Sequence, residues 1–364
     1  MSGGRIAVVF GTRPEIVKLA GVIHAIGDRA WTVHTGQHWD DRMAGSFLRD
    51  LGIGVPRTVL GISGLSRGVT LGQTTAALTE LWTPTRPSAV VVQGDTTTAL
   101  AGALAANASE IPLVHIEAGL RSYDRAMPEE HNRVLVDCLA DRCAAPTELC
   151  RQNLAREAID GERVAVTGNT VVDAVNQLMP HDDGVTAALV AYGVERDRFV
   201  LSTFHRPENV DDGARLAAVL TGLGRLSASG WPVVLAIHPR TAASAARAGL
   251  EGPLSALQVV PPVDYQSFLA LSSAAALLIS DSGGVQEEVS VLKRPMLVVR
   301  RSTERPEVLG TFAELIQPEE IADRAIPWLA DVAGTRDRLA LVPSPYGDGT
   351  ASARCAELVL NLVA

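Results

Sequence analysis

Cysteine is scarce and never arranged to hold a metal. The four in this 364-residue chain are Cys138, Cys143, Cys150 and Cys355. They form no C-x-x-C pair and have no histidine at zinc spacing, so they read as reduced, buried thiols, with neither a metal site nor a disulfide framework expected. Long apolar runs are missing too. Stretches such as 274–279 fall far short of the roughly 18 residues that a membrane span requires. The opening MSGGRIAVVF lacks a signal-peptide layout, so a cytoplasmic location with no membrane partner is the default expectation. A basic excess is also absent: 32 Lys and Arg stand against 41 Asp and Glu, a formal net charge of -9. That balance argues against non-specific nucleic-acid binding, and any anionic ligand must be held by a local cluster of basic groups. Finally, there is no G-x-G-x-x-G after the first apolar run, no Walker A sequence, no H-E-x-x-H and no G-x-S-x-G. Dinucleotide redox chemistry, P-loop hydrolysis, zinc proteolysis and the hydrolase nucleophile elbow therefore lose support.

What is present is an ordinary folded composition, 47% hydrophobic and 20% charged, in a chain longer than one hydrophobic core usually supports. Short β-rich apolar runs alternate with amphipathic segments, the pattern of parallel sheets covered by helices on both faces. Strands are expected at 5–10, 31–35, 89–93, 112–116, 142–145 and 164–166. The pattern restarts at 199–203, 233–237, 258–260, 277–280 and 295–299. Two similar doubly wound domains follow from this, 1–170 and 171–349, with the final segment 350–364 a helix that can pack back on the first. Open parallel sheets bind ligands beyond the carboxyl ends of their strands. The unusual polar residues fall there: Gly11 to Glu15, Gly94 to Thr96 and Glu117 to Gly119 in the first half, then His205 to Asn209, His238 to Arg240 and Asp281 to Gly284. Both halves then offer polar edges to one shared cleft.

Several of these residues suit particular chemistry. The run Asp281-Ser282-Gly283-Gly284 lies between an apolar strand and a helical run, and the unpaired N–H groups of such a helix start suit a phosphate. Glu288, about one turn further on, could accept from ribose hydroxyls; an ordinary glycine-rich turn is the alternative. Arg13 and Lys18 flank the first helix start, and Arg300, Arg301 and Arg305 crowd the loop after 295–299, where guanidinium groups could pair with diphosphate oxygens. Asp95, Glu117 and Glu129 are three carboxylates from the first half. Gathered in one dehydrated site they would repel one another, letting one act as acid and another as base; helix capping explains them equally well. His205 could supply a cation or a titratable proton, or serve as a plain hydrogen-bonding residue.

Taken together, GTRPE (11–15), QGDT (93–96), HIEAGLRS (115–122), PEEHNR (128–133), GNTVVDA (168–174), HRPEN (205–209), DSGGVQEE (281–288) and TERPE (303–307) resemble the non-hydrolysing UDP-N-acetylglucosamine 2-epimerases. The resemblance implies a GT-B architecture, two Rossmann-like domains with an interdomain active site, usually as a homodimer, with no cofactor and no metal. It implies reversible exchange of UDP-N-acetylglucosamine and UDP-N-acetylmannosamine by elimination of UDP to 2-acetamidoglucal and re-addition. Matched position by position, it makes Asp95, Glu117, Glu129 and His205 the catalytic residues. Substrate contacts fall on Arg13, Lys18, Phe268, Ser282, Gly283, Gly284, Glu288 and Arg305. A hydrolysing 2-epimerase or a GT-B glycosyltransferase would use the same fold. One departure stands out. Many bacterial members hold a second UDP-N-acetylglucosamine as activator through a Gln-His-x-Gln stretch and an Arg-Gln pair. Here Gln37-His38-Trp39 is followed by Asp40, no Arg-Gln pair occurs between Ser63 and Thr74, Pro207 replaces a common arginine, and His238-Pro239-Arg240 departs from the usual sequence. Weak or absent sigmoidicity is the expectation.

Overall fold

The computed structural model describes residues 4–36, 48 and 51–364. The stretch from Gln37 to Asp40 lies outside the described residues. The chain divides into two compact units, Met1–Asn176 with Tyr346–Ala364, and Gln177–Pro345. Among the described residues no helix is long and apolar enough to cross a membrane.

Among the described residues the first unit is built on a parallel sheet of seven strands: β1 (Ile6–Phe10), β2 (Ala30–His34), β3 (Thr58–Val59), β4 (Ala89–Gln93), β5 (Leu113–Ile116), β6 (Arg142–Ala145) and β7 (Val164–Val166). Their spatial order is β3-β2-β1-β4-β5-β6-β7. The central strands are apolar along their length because both faces are covered; every residue of β1 is inaccessible to solvent. Val9, Val90, Val92, Leu113 and Trp82 belong to the core that results.

The second unit repeats the plan with β8 (Val200–Thr203), β9 (Val233–Ala236), β10 (Gln258–Val260), β11 (Leu277–Ser280), β12 (Met296–Val299) and β13 (Ala313–Ile316), in the order β10-β9-β8-β11-β12-β13. Each sheet therefore reverses its winding once, between β1 and β4 and between β8 and β11. Such reversals open a crevice at the carboxyl ends of the strands, where ligands of this fold class sit. Both units are doubly wound α/β structures of the Rossmann-like kind.

The sequence placed the domain boundaries at 170 and 349, whereas the units divide at 176 and 345. Helix Thr170–Leu178 runs across the first boundary. The second comes early because Asn169 N–H donates to the Tyr346 carbonyl (2.8 Å), which draws the returning chain onto the first unit before the last helix starts. That helix, Ala351–Leu362, is seated by Asp173, whose carboxylate accepts from the N–H groups of Ala351 (3.2 Å) and Ser352 (2.8 Å) at its open amino end. Its approach to helix Arg13–Ile26 requires glycine at 21, where a Cβ would lie 2.4 Å from Ser352 Oγ.

Candidate active site

In the first unit the chain leaves β1 through Gly11 and Thr12 into helix Arg13–Ile26. Thr12 caps that helix, with Pro14 and Glu15 in its first turn. Glu15 is buried and accepts from Gly11 N (3.0 Å), Thr12 N (2.8 Å) and Thr12 Oγ1 (2.8 Å) through one oxygen, and from Thr96 Oγ1 (2.7 Å) through the other. It thus fastens the loop after β1 to the loop after β4. Burial pushes its pKa up to about 7, against the pull of Thr96, Thr12 and the two backbone donors. Arg13, half-buried at the first helical position, makes no hydrogen bond or ion pair with another described residue.

Lys18 sits one turn further along the same helix and is buried. Its ammonium forms an ion pair with Glu117, which also accepts from Gln93 Nε2 (2.8 Å). The expected diphosphate ligand is in this structure a counter-ion to a carboxylate. Glu117 follows β5 with φ 71°, a left-handed conformation that a residue with a side chain adopts only when its surroundings impose it. The imposition is visible: the N–H groups of Glu117 and Ala118 both donate to the Ala144 carbonyl at the end of β6 (3.1 Å each).

Helix Pro128–Leu139 holds the loops after β4 and β5 with one face. Glu130, Arg133 and Asp137, spaced i, i+3 and i+7, are all buried. Arg133 pairs with Asp95 and with Glu130. Glu130 also accepts from Ser122 N (3.0 Å), Ser122 Oγ (2.8 Å) and Tyr123 N (2.8 Å). Asp137 meets His115 Nδ1 (2.6 Å), Arg121 Nη1 (2.8 Å) and Gly119 N (3.1 Å). The other ring nitrogen of His115 reaches the Gly94 carbonyl (2.9 Å), and Asn132 Nδ2 donates to the Asp95 carbonyl (2.7 Å). Asp95 is thereby held through both backbone and side chain. Glu129, in the first turn and half-buried, makes no such bond with any described residue. Arg133 lies within PEEHNR, and its i+3 spacing from Glu130 is the signal of this pair in the sequence.

In the second unit Asp281, at the end of β11 and inaccessible to solvent, gathers the segment after β8. It accepts from His205 N (3.1 Å), Arg206 N (3.1 Å) and Asn209 Nδ2 (3.0 Å), and its Oδ1 lies 3.3 Å from His205 Nδ1. The His205 side chain is 42% exposed. Its pKa is nonetheless held below the ordinary value, first by desolvation, which Asp281 opposes and which Arg206, His238 and Arg300 reinforce. Ser282 precedes helix Gly283–Leu292. Nothing lies within 4 Å of where a Cβ of Gly284 would stand, so the helix start is open there. A Cβ on Gly283 would come within 2.7 Å of Arg305 Nη1.

Arg305 itself is buried between Glu287 (2.7 Å to Nε) and Glu304. Arg206 and Arg300 share Glu304, at 3.5 Å and 2.8 Å. Three guanidinium groups thus surround a few carboxylates next to an open helix start, an arrangement suited to a multiply charged anion. Arg206, the second residue of HRPEN, is one of the three, and nothing in the sequence around it signals the shared carboxylate. Glu288, also buried, accepts from the Tyr265 hydroxyl (2.9 Å). Phe268 lines a cavity of about 120 Å³ beyond the ends of β8 to β10, with Thr203, Ala236, His238, Pro262 and Val263 among its walls. A larger cavity, about 230 Å³, lies in the first unit at the amino ends of β5 and β6, near Asn107 and Asp141, and touches none of the predicted residues.

Residues 27–360 match the sequence profile of the UDP-N-acetylglucosamine 2-epimerase family. The UDP-N-acetylglucosamine 2-epimerase of Methanocaldococcus jannaschii is 35% identical, over 98% of this chain and 98% of its own length. The UDP-2,3-diacetamido-2,3-dideoxy-D-glucuronate 2-epimerase of Pseudomonas aeruginosa is 33% identical, over 98% of this chain and all of its own. Among solved structures, the UDP-GlcNAc 2-epimerase of Neisseria meningitidis bound to UDP-GlcNAc superposes with a TM-score of 0.88 at 31% identity, covering 98% of this chain and 100% of that one. Profile, full-length relatives and superposed fold agree, and the chain belongs to the UDP-N-acetylglucosamine 2-epimerase family.

Proposed function

We propose that this protein interconverts UDP-N-acetylglucosamine and UDP-N-acetylmannosamine without releasing free sugar. The observation that carries the reading is the placement of Asp95 and Glu117 at the carboxyl ends of neighbouring strands, each ion-paired to a basic residue of a helix, Asp95 to Arg133 and Glu117 to Lys18. Inversion at C2 needs a base to take the C2 proton and an acid to return one to the opposite face. In the first half-reaction the C2–H bond and the C1–O bond break, the electron pair forms the C1–C2 double bond of 2-acetamidoglucal, and UDP departs. Re-addition reverses both bond changes with the proton delivered to the other face. The cycle is redox-neutral and needs no cofactor.

In this assignment Asp95 and Glu117 handle the protons, and Glu129 supports the charge or the proton transfer that develops on the sugar. Arg13, Ser282, Gly283, Gly284 and Arg305 bind the diphosphate, with His205 and Arg305 stabilising UDP as it leaves. Phe268 serves the uracil and Glu288 the ribose. Lys18 acts chiefly through Glu117. The cavity beside Phe268 and the open helix start at Gly284 support the nucleotide half of this reading. A cytoplasmic homodimer completes it, and light scattering at twice 38.4 kDa checks the dimer.

The deciding experiment is proton NMR of UDP-N-acetylglucosamine with the protein in D₂O. Deuterium at C2 in both epimeric nucleotide sugars is the expected result. Accumulation of UDP with free N-acetylmannosamine would assign a hydrolysing enzyme instead, and turnover only on adding an acceptor would assign a transferase. Exchange confined to a diacetamido-glucuronate nucleotide would keep the chemistry and change the sugar, following the Pseudomonas relative.

A further inference from the structure

We propose that Tyr265 is a positioning residue that sets ribose recognition, by fixing the Glu288 carboxylate in register with the cavity that Phe268 lines. This rests on the reading above that the second unit binds UDP. Helix Tyr265–Ala274 begins at Asp264, whose carboxylate accepts from Ser267 N (2.9 Å) and fixes its first turn. Tyr265 and Phe268 are three residues apart in that turn, so they share a helix face. Phe268 reaches the cavity, and Tyr265 donates its hydroxyl to Glu288 Oε1 on the neighbouring helix Gly283–Leu292 (2.9 Å). One short helix thereby sets the spacing between the wall of a base-sized cavity and a buried carboxylate.

The chemistry of a cis-diol explains why this spacing matters. Two vicinal hydroxyls are bound best by a carboxylate whose two oxygens lie in the diol's plane, each accepting one hydrogen bond. A carboxylate has roughly four acceptor positions, so the bond from Tyr265 orients it without exhausting it. A glutamate with no such tether loses side-chain freedom only when the ligand arrives, and that cost comes out of affinity. Burial and the nearby Glu288 also hold the Tyr265 pKa well above the ordinary tyrosine value, so the phenol remains a donor across the working pH range. Glu287, one residue earlier, turns to Arg305 instead, so the two adjacent glutamates are committed to different partners.

The test is titration calorimetry of UDP and 2′-deoxy-UDP against native protein, Tyr265→Phe, Glu288→Gln and the double variant, with epimerisation followed in parallel. The native protein should prefer UDP. Tyr265→Phe should weaken UDP about tenfold, the weight of one lost bond to a charged group, while 2′-deoxy-UDP changes little. KM should rise with kcat kept within about twofold. In the Glu288→Gln background the tyrosine change should add nothing, because the two act as one unit. Equal losses for both nucleotides, or an undiminished effect without Glu288, would overturn the assignment, as would a native protein indifferent to the 2′-hydroxyl. Binding of UDP with this discrimination but no epimerisation would sink the proposed reaction and leave the role of Tyr265 standing.

Discussion

Replacing Glu15 by glutamine should change how stability depends on pH. In the folded chain this carboxyl is pushed from the ordinary 4.5 up to about 7, chiefly by burial. Between those values the native state binds the proton more tightly than the unfolded state does. Stability from this group is therefore fully present below pH 4.5 and drains away as pH rises through 7. A displacement of that size corresponds to roughly 3 kcal/mol. Glutamine resembles the protonated acid in shape: its oxygen can accept from Gly11 N and Thr12 N, and its amide can face Thr96 Oγ1. The variant should lack the loss. Melting both proteins at a series of pH values and taking the difference cancels every other titrating group. For a unit of about 200 residues the Tm of Glu15→Gln should gain about 6–12 °C on the native protein between pH 4 and pH 8. A flat difference, or one that moves the other way, would refute the burial argument.

Three further outcomes can be checked. Asp95→Asn should lower turnover by about 10²-fold or more, with the fold unchanged by circular dichroism, because one acid/base group is removed; near-normal turnover would take Asp95 out of the mechanism. Gly283→Ala places a methyl group 2.7 Å from Arg305 Nη1, and should weaken UDP about tenfold by displacing a guanidinium that two carboxylates pin; unchanged affinity in calorimetry would mean Arg305 does not grip the diphosphate. Initial rates against UDP-N-acetylglucosamine should be hyperbolic, since Asp40 and the missing Arg-Gln pair depart from the activator-binding pattern; a strongly sigmoidal curve would contradict this.

Most strands were legible within about a residue because a strand buried on both faces must be a continuous apolar run, as Ile6–Phe10 and Leu277–Ser280 are. Two strands were missed for the converse reason. Thr58–Val59 is two residues long, and Ala313–Ile316 is an edge strand interrupted by the half-buried Glu314. The loops bearing Asp95, Glu117 and Asp281 could be located because polar residues directly after apolar strands are conspicuous. What those side chains touch could not be read. Lys18 and Arg305 are both basic groups expected to grip the diphosphate, yet one faces Glu117 and the other is clamped by Glu287 and Glu304. Likewise Glu129 and Glu130 are neighbours in sequence, and only helical rotation decides that the second turns inward to Arg133.

The return of the chain at Tyr346 has a consequence for biosynthesis. Helix Ala351–Leu362 contributes Cys355 and Val359 to the interior of the first unit, so the unit that begins emerging from the ribosome first is the last to be finished. Until helix Ala351–Leu362 has emerged, Gly21 and its helix lack the surface they are shaped to meet, while the later-made unit already has its whole sequence. The unit translated first thus depends on a segment translated after the whole of the second, and a truncation that removes helix Ala351–Leu362 would be felt in the first unit.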